Sequence, residues 1–450
     1  MKNCRCKLST SRVILLSFMV TIIVGSLLLS LPVSSADGVA VPYVDALFTA
    51  TTSTCVTGLV VTPTFNSWSI FGQIIILILI QIGGLGVITV MSAMMIFIRR
   101  KMGIEDRILL QDAFNLNSMS GIVKFVKQVV TGTFIIEGIG AAVYMVAFVP
   151  QFGPRGIWIS IFTAVSAFCN AGLDIISENS LCDFALNPLV NIVTVLLIIL
   201  GGIGYVVWWD VLRVLKQKKC KRKIRALSLH SKIAISTSLF LIVFGTVCFF
   251  VFEYNNPETI KDYSLIEKIE VSLFQSVTTR TAGFATIPQE NLTNASSAVA
   301  LLLMFIGGSP VGTAGGIKTV TFTVLVWSAV SQIKNKNSVS VFNRTLTTIA
   351  VNKAVAVAIM SLFTVSLSTV LLAAVTQADM LDIIFEAVSA TATVGLTRNL
   401  TSSLNLMGKI IIIATMYFGR VGPISLAVAF LAKRKNNNKI INPTEEICVG

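Results

Sequence analysis

The chain has 450 residues, of which 54% are hydrophobic and only 12% charged. A soluble protein carries about a quarter charged residues, so this composition excludes a soluble fold and requires a bilayer around the chain. Lys and Arg outnumber Asp and Glu by 35 to 21, and the resulting net charge of +14 raises nucleic acid as a partner until the charges are mapped.

In chain order, apolar runs long enough to span occupy residues 12–33, 68–98, 126–149, 189–212, 233–252, 298–327, 350–375 and 406–432. The first has the basic flank of a signal peptide, but its apolar core exceeds the usual length of one, and it is read as a retained helix. Basic clusters follow every even-numbered run: Arg99 to Lys101, Arg213 to Arg225, Lys334 with Lys336, and Lys433 to Lys439. By the positive-inside tendency both termini are cytoplasmic, and the protein is expected to be multi-pass in the cell membrane. Residues 104–120, of mixed polarity, are expected at the inner interface. Assigned by side, the charge becomes a basic inner face and an acidic outer one, so orientation rather than nucleic acid explains it. The scattered cysteines, lacking any CxxC pair, and the lone His230 give neither a zinc site nor a disulfide framework.

Between the odd and even runs lie four similar stretches, FTATTSTCVTGL, FTAVSAFCNAGL, FQSVTTRTAGF and FEAVSATATVGL. Their glycines, Gly58, Gly172, Gly283 and Gly395, are 114, 111 and 112 residues apart. Self-similarity at a fixed period sets the architecture. The expected fold is an all-α polytopic membrane protein of four helix–pore loop–helix repeats around one central pore, eight spanning helices in all. The repeats are drawn at 1–107, 108–227, 228–340 and 341–450, the first and last with terminal tails. Asp45, Glu270 and Asp382 each precede their glycine by 13 residues, where a carboxylate caps the first turn of a short helix and favours its positive end. Capping alone accounts for such acids as well.

A dehydrated cation must recover oxygens, and carbonyls from four converging loops supply them. The predicted filter is therefore Val56, Thr57 and Gly58 with Asn170, Ala171 and Gly172, then Thr281, Ala282 and Gly283 with Thr393, Val394 and Gly395. Glycine patches recur 24 to 29 residues after each filter glycine, and the third, GGSPVGTAGG, is exceptional. Gly307, Gly308, Ser309, Pro310, Val311, Gly312, Thr313, Ala314, Gly315 and Gly316 break a spanning segment, and unwound backbone at that depth must line a pore or be buried. Arg420 and Gly308 each lie 25 residues past their glycine, which places the guanidinium at the level of this loop. It is either a barrier to cations or an anchor for loop carbonyls. Lys318 is expected to snorkel to the cytoplasm, and Glu137 to face a helix interface or a partner dipole.

The four loops, with STCVTGL, NAGL, TTRTAGF and TVGL, resemble the pore loops of the Trk/Ktr/HKT superfamily of potassium transporters, nearest in length to the Ktr-type membrane subunit. The resemblance implies K+ translocation through one filter gated by the intramembrane loop, with Gly58 favouring K+ where relatives with Ser pass Na+. It also implies a homodimer, a cytosolic nucleotide-binding RCK-type ring and a dependence on Na+. A sodium or unselective cation transporter on the same fold is the alternative reading. No phosphate loop and no HExxH occur in the sequence, which leaves a membrane-embedded enzyme or scaffold as the outlying class. No cofactor is expected beyond the transported K+ and a coupling Na+.

Overall fold

The computed structural model describes residues 10–98, 103–113, 121–216, 226–336 and 338–422. It begins with α1 (Thr10–Leu29), a short helix α2 (Tyr43–Cys55), and two helices α3 (Ile70–Leu85) and α4 (Val87–Phe97) that meet at a 97° bend. A short helix α5 (Ile104–Ala113) precedes α6 (Ile122–Phe152), α7 (Arg155–Cys169) and a second pair, α8 (Pro188–Gly202) and α9 (Tyr205–Lys216), also bent by 97°. Next come α10 (Leu229–Glu253), α11 (Leu265–Thr278), α12 (Asn294–Phe305) and, after a non-helical stretch, α13 (Thr319–Ile333). A two-residue antiparallel ladder, β1 (Ser340–Val341) with β2 (Arg344–Thr345), leads to α14 (Thr348–Val375), α15 (Met380–Ala392) and α16 (Leu406–Val421).

Among the described residues, the spans expected from hydropathy are not all single helices. Four helices, α1, α6, α10 and α14, are long and apolar enough to cross a bilayer, or up to six spans if each bent pair counts as one. Composition is blind to the reason, which is backbone geometry. Gly86, Gly204 and Gly422 stand at helix ends with φ of 86°, 92° and 88°, a conformation glycine adopts freely and a right-handed helix cannot pass through. The basic clusters at 99–101, 218–225 and 433–439, and the eighth predicted span beyond residue 422, lie outside the described residues.

Packing inverts the usual soluble pattern. In the apolar windows of the four long helices only 22–33% of residues are buried, and Ile23, Leu27, Ile135, Ile139, Val243, Val247, Leu362 and Val370 are exposed. Apolar faces of that extent call for hydrocarbon. The short helices are instead enclosed and rich in hydroxyls: Phe48 to Cys55 of α2 and Phe385 to Ala392 of α15 are all buried. Some of their Ser and Thr side chains bond within their own helix, as when Thr51 donates to Leu47 O at 2.7 Å and Ser53 to Thr49 O at 2.6 Å. The result is a polar centre inside a greasy wall. The first and last described helices meet: Tyr417 Oη donates to Leu15 O at 2.8 Å, and Leu15, Phe18, Val87 and Val421 form one apolar cluster.

Candidate ion pathway

Each of α2, α7 and α15 ends three residues before its loop glycine, at Cys55, Cys169 and Ala392. The next residue in each, Val56, Asn170 or Thr393, is left-handed, with φ of 56°, 59° and 51°. Thr281 takes the same conformation at φ 66° in the third loop, and all four glycines also have positive φ. Two consecutive reversals swing the chain out of the helix. Main-chain bonds hold the turn: Thr57 N–H reaches Thr52 O at 2.8 Å, Ala171 N–H reaches Ser166 O at 2.8 Å, and Val394 N–H reaches Ser389 O at 2.9 Å. Hydroxyls six residues upstream then receive the glycine amides, Gly58 on Thr52 Oγ1 and Gly395 on Ser389 Oγ, both at 3.0 Å.

The four glycines form a closed ring. A Cβ built on Gly58 would lie 2.5 Å from Ala171 O, on Gly172 2.6 Å from Ala282 O, and on Gly283 2.6 Å from Val394 O. On Gly395 it would overlap Thr57 O, returning to the first loop. Every glycine thus faces the carbonyl that precedes the next one. In backbone conformation Val56 is the counterpart of Asn170, Thr281 and Thr393, the left-handed residue two before each glycine.

A second ring of ties lies at the other ends of the short helices. Asp45 accepts from Lys409 Nζ at 2.5 Å, Trp158 Nε1 donates to Gln73 Oε1 at 2.8 Å, and Asn191 Nδ2 donates to Glu270 Oε1 at 2.9 Å. Arg398 closes the circuit, with Nε on Asp382 Oδ1 at 2.7 Å and NH1 on Ser297 Oγ at 2.8 Å. Asp45 and Asp382 occupy first turns as expected, but Glu270 does not. In α11 that place belongs to Glu267, which completes a capping box with Ser264. The third short helix begins and ends earlier relative to its glycine than α2 and α15 do, so a fixed spacing misplaced its cap.

Below the ring, residues 306–318 form a loop docked on the broken end of α8. Ser309 N–H donates to Gly202 O at 2.8 Å and Thr313 N–H to Gly201 O at 3.1 Å, while Tyr205 N–H donates to Val311 O at 2.9 Å. Breaking α8 frees two carbonyls and an amide, unwinding the third segment frees their partners, and each satisfies the other. The loop also touches the ring's supports: Thr313 Oγ1 donates to Phe168 O at 3.2 Å, and Gly315 N–H to Thr281 Oγ1 at 3.2 Å. Arg420 reaches the loop from α16, donating to Thr313 O at 2.6 Å and to Gly83 O at 2.5 Å. Predicted gate residues Gly307 to Gly316 and Arg420 are therefore brought together. Lys318 does not snorkel; its Nζ turns back to Ala314 O at 2.5 Å. A cavity of about 710 Å³ opens beneath, lined by Gly86, Gly316, Lys318, Thr391, Arg420 and Gly422 among others.

Glu137 is buried on α6 and accepts from Gln81 Nε2 at 3.2 Å, with Cys169 Sγ 3.8 Å away, so it faces a helix interface. Outside the ring, the half-buried Asp174 carboxyl is pushed up to about 6 by burial, against the bonds it accepts from the chain around Ile176. Among the described residues no three His, Cys, Asp or Glu side chains come together to hold a metal.

The family model described as TrkH, cation transport protein, matches residues 5–440. The chain is similar to the Ktr system potassium uptake protein B of Bacillus subtilis, 38% identical over 440 residues that cover 98% of this chain and 96% of that one. It is also similar to the potassium/sodium uptake protein NtpJ of Enterococcus hirae, 37% identical over 462 residues, 100% of this chain and 99% of the other. The crystal structure of the potassium transporter TrkH from Vibrio parahaemolyticus shares the fold, with a TM-score of 0.76 at 16% identity, covering 96% of this chain and 87% of that chain.

Proposed function

The chain belongs to the TrkH cation transport protein family, a family of transporters and not of enzymes, and on that premise we propose that it is the membrane subunit of a potassium uptake system. K+ passes the ring of Gly58, Gly172, Gly283 and Gly395, where backbone carbonyls replace its lost water. The observation that carries this reading is the cyclic packing of each glycine against the carbonyl before the next. Supporting it, the buried side chains of Thr57, Asn170 and Thr393 hold polar atoms with no protein partner, and short helices that end at the ring turn their carbonyl ends toward it. In this reading four repeats cross the membrane eight times with the even crossings broken, and the basic segments that follow those crossings favour cytoplasmic termini.

The loop at 307–316 and Arg420 act as the gate below. Arg420 is both anchor and barrier in this reading, because its two carbonyl contacts fix a guanidinium in the cation path. A homodimer and a cytosolic RCK-type ring complete the system, with Na+ as activating or coupling ion. The name of the Enterococcus hirae relative favours a second reading, in which Na+ itself is carried. Rubidium uptake into vesicles holding the purified chain, in competition with K+ and Na+, tests both: K+ should compete at much lower concentration than Na+. Equal competition supports the second reading, and no uptake above empty vesicles sinks the first.

A further inference from the structure

The motif TTRTAGF in the third loop contains an arginine that neither the ring nor the gate accounts for. Three residues before the glycine, the other loops carry Cys55, Cys169 and Ala392, all neutral and all the last residue of their helix. In the third, α11 stops at Thr278, so Arg280 falls beyond the helix end and its side chain is free to leave. It turns to α10, where NH1 donates to Ser238 O at 3.3 Å and NH2 to Ser238 Oγ at 3.1 Å. Arg280 is only 8% exposed, and its buried Nε has no protein partner. Among the described residues no carboxylate pairs with it.

A guanidinium held in the membrane interior by one serine is costly, and such a charge marks function by default. Carbonyl ends of α2, α7 and α15 draw a cation toward the ring; a positive charge just past the end of α11 offsets that attraction on one side. Conduction needs binding weak enough for the ion to leave. We propose that Arg280 is a positioning residue for transport, whose fixed charge behind the third loop loosens the hold of the ring on its ion and so sets affinity against turnover. This rests on the reading of the ring as the K+ filter.

The test is rubidium uptake by the full chain in vesicles, read as half-saturating concentration and maximal rate separately. Arg280→Gln should lower the half-saturating concentration about fivefold and lower the maximal rate with it. Arg280→Lys, which keeps the charge, and Ser238→Ala, which removes only a hydroxyl, should stay near wild type. Ser238→Asp leaves the arginine in place and cancels its field, so it should reproduce Arg280→Gln, and it carries the test should that variant fail to assemble. An unchanged half-saturating concentration in Ser238→Asp, or Arg280→Lys behaving as Arg280→Gln does, overturns the proposal. Wild-type chain without uptake would sink the filter reading itself, a separate outcome.

Discussion

The ring of four glycines and the layer directly beneath it are built on opposite plans. In the ring, four loops from four parts of the chain adopt the same pair of positive φ values and the same contact with the next loop. Beneath it, two segments break at a single glycine, Gly86 or Gly204, and α16 stops at Gly422, whereas the segment between α12 and α13 unwinds from 306 to 318 and crosses to α8. On the proposed function, likeness suits a filter that must surround an ion evenly, and difference suits a gate, since one loop can shift without four having to shift together.

That contrast can be broken most directly in the ring. Alanine at Gly172 or Gly283 places a methyl 2.6 Å from a neighbouring carbonyl on a backbone already at positive φ. Rubidium uptake should fall by roughly 100-fold or more when any one of the four ring glycines becomes alanine. If one glycine tolerates alanine while the others do not, the ring is not the even structure described. Next in size, Arg420→Ala and a deletion of residues 312–316 should each raise cation flux, by about 10-fold if the lower layer limits the rate. Normal expression with unchanged flux in both would remove the lower layer from control.

The ties at the far ends of the short helices give smaller effects, expressed in stability. Lys409 and Asp45 are 18% and 15% exposed, so Lys409→Met, which strands a buried carboxylate, should cost about 1–3 kcal/mol. Thermal unfolding of the detergent-solubilised protein measures it, and a double variant with Asp45→Asn should recover part of the loss. Smallest is the influence of the mouth. Asp174, raised by burial to about 6, is ionised at pH 7 and neutral at pH 5, so any attraction it exerts on cations is present above that pH and lost as pH falls through it. Uptake should decline about twofold across that interval at low ionic strength, less at high, and Asp174→Asn should flatten the curve. Neutralising Glu178 and Asp183 as well should lower uptake more at low ionic strength than at high; equal effects at both salt concentrations would count against focusing.

Much of this was legible in the residues. The near-constant spacing of Gly58, Gly172, Gly283 and Gly395 located the ring, because only a repeated turn needs glycine at a repeated place. The density of glycine around Pro310 announced the unwound loop. What remained hidden depended on where helices stop. Hydropathy could not distinguish α3 and α4 from one span, since a 97° bend at Gly86 leaves composition unchanged. Nor could the sequence tell that α11 ends early, which displaced Glu270 from its predicted turn and freed Arg280. Contacts between distant segments, such as Arg420 with Gly83 and Lys409 with Asp45, left no local pattern at all.

The closing contact of the ring has a consequence for how the protein is made. Gly395 packs against Thr57, Lys409 reaches Asp45 and Tyr417 reaches Leu15, so the first loop waits for the last. A nascent chain that has released three loops holds an open crescent of hydroxyl-rich helices with one flank uncovered. Translation must reach Tyr417 before that flank is sealed. A chain that stops short of α16 therefore leaves the first loop as open as one that stops much earlier.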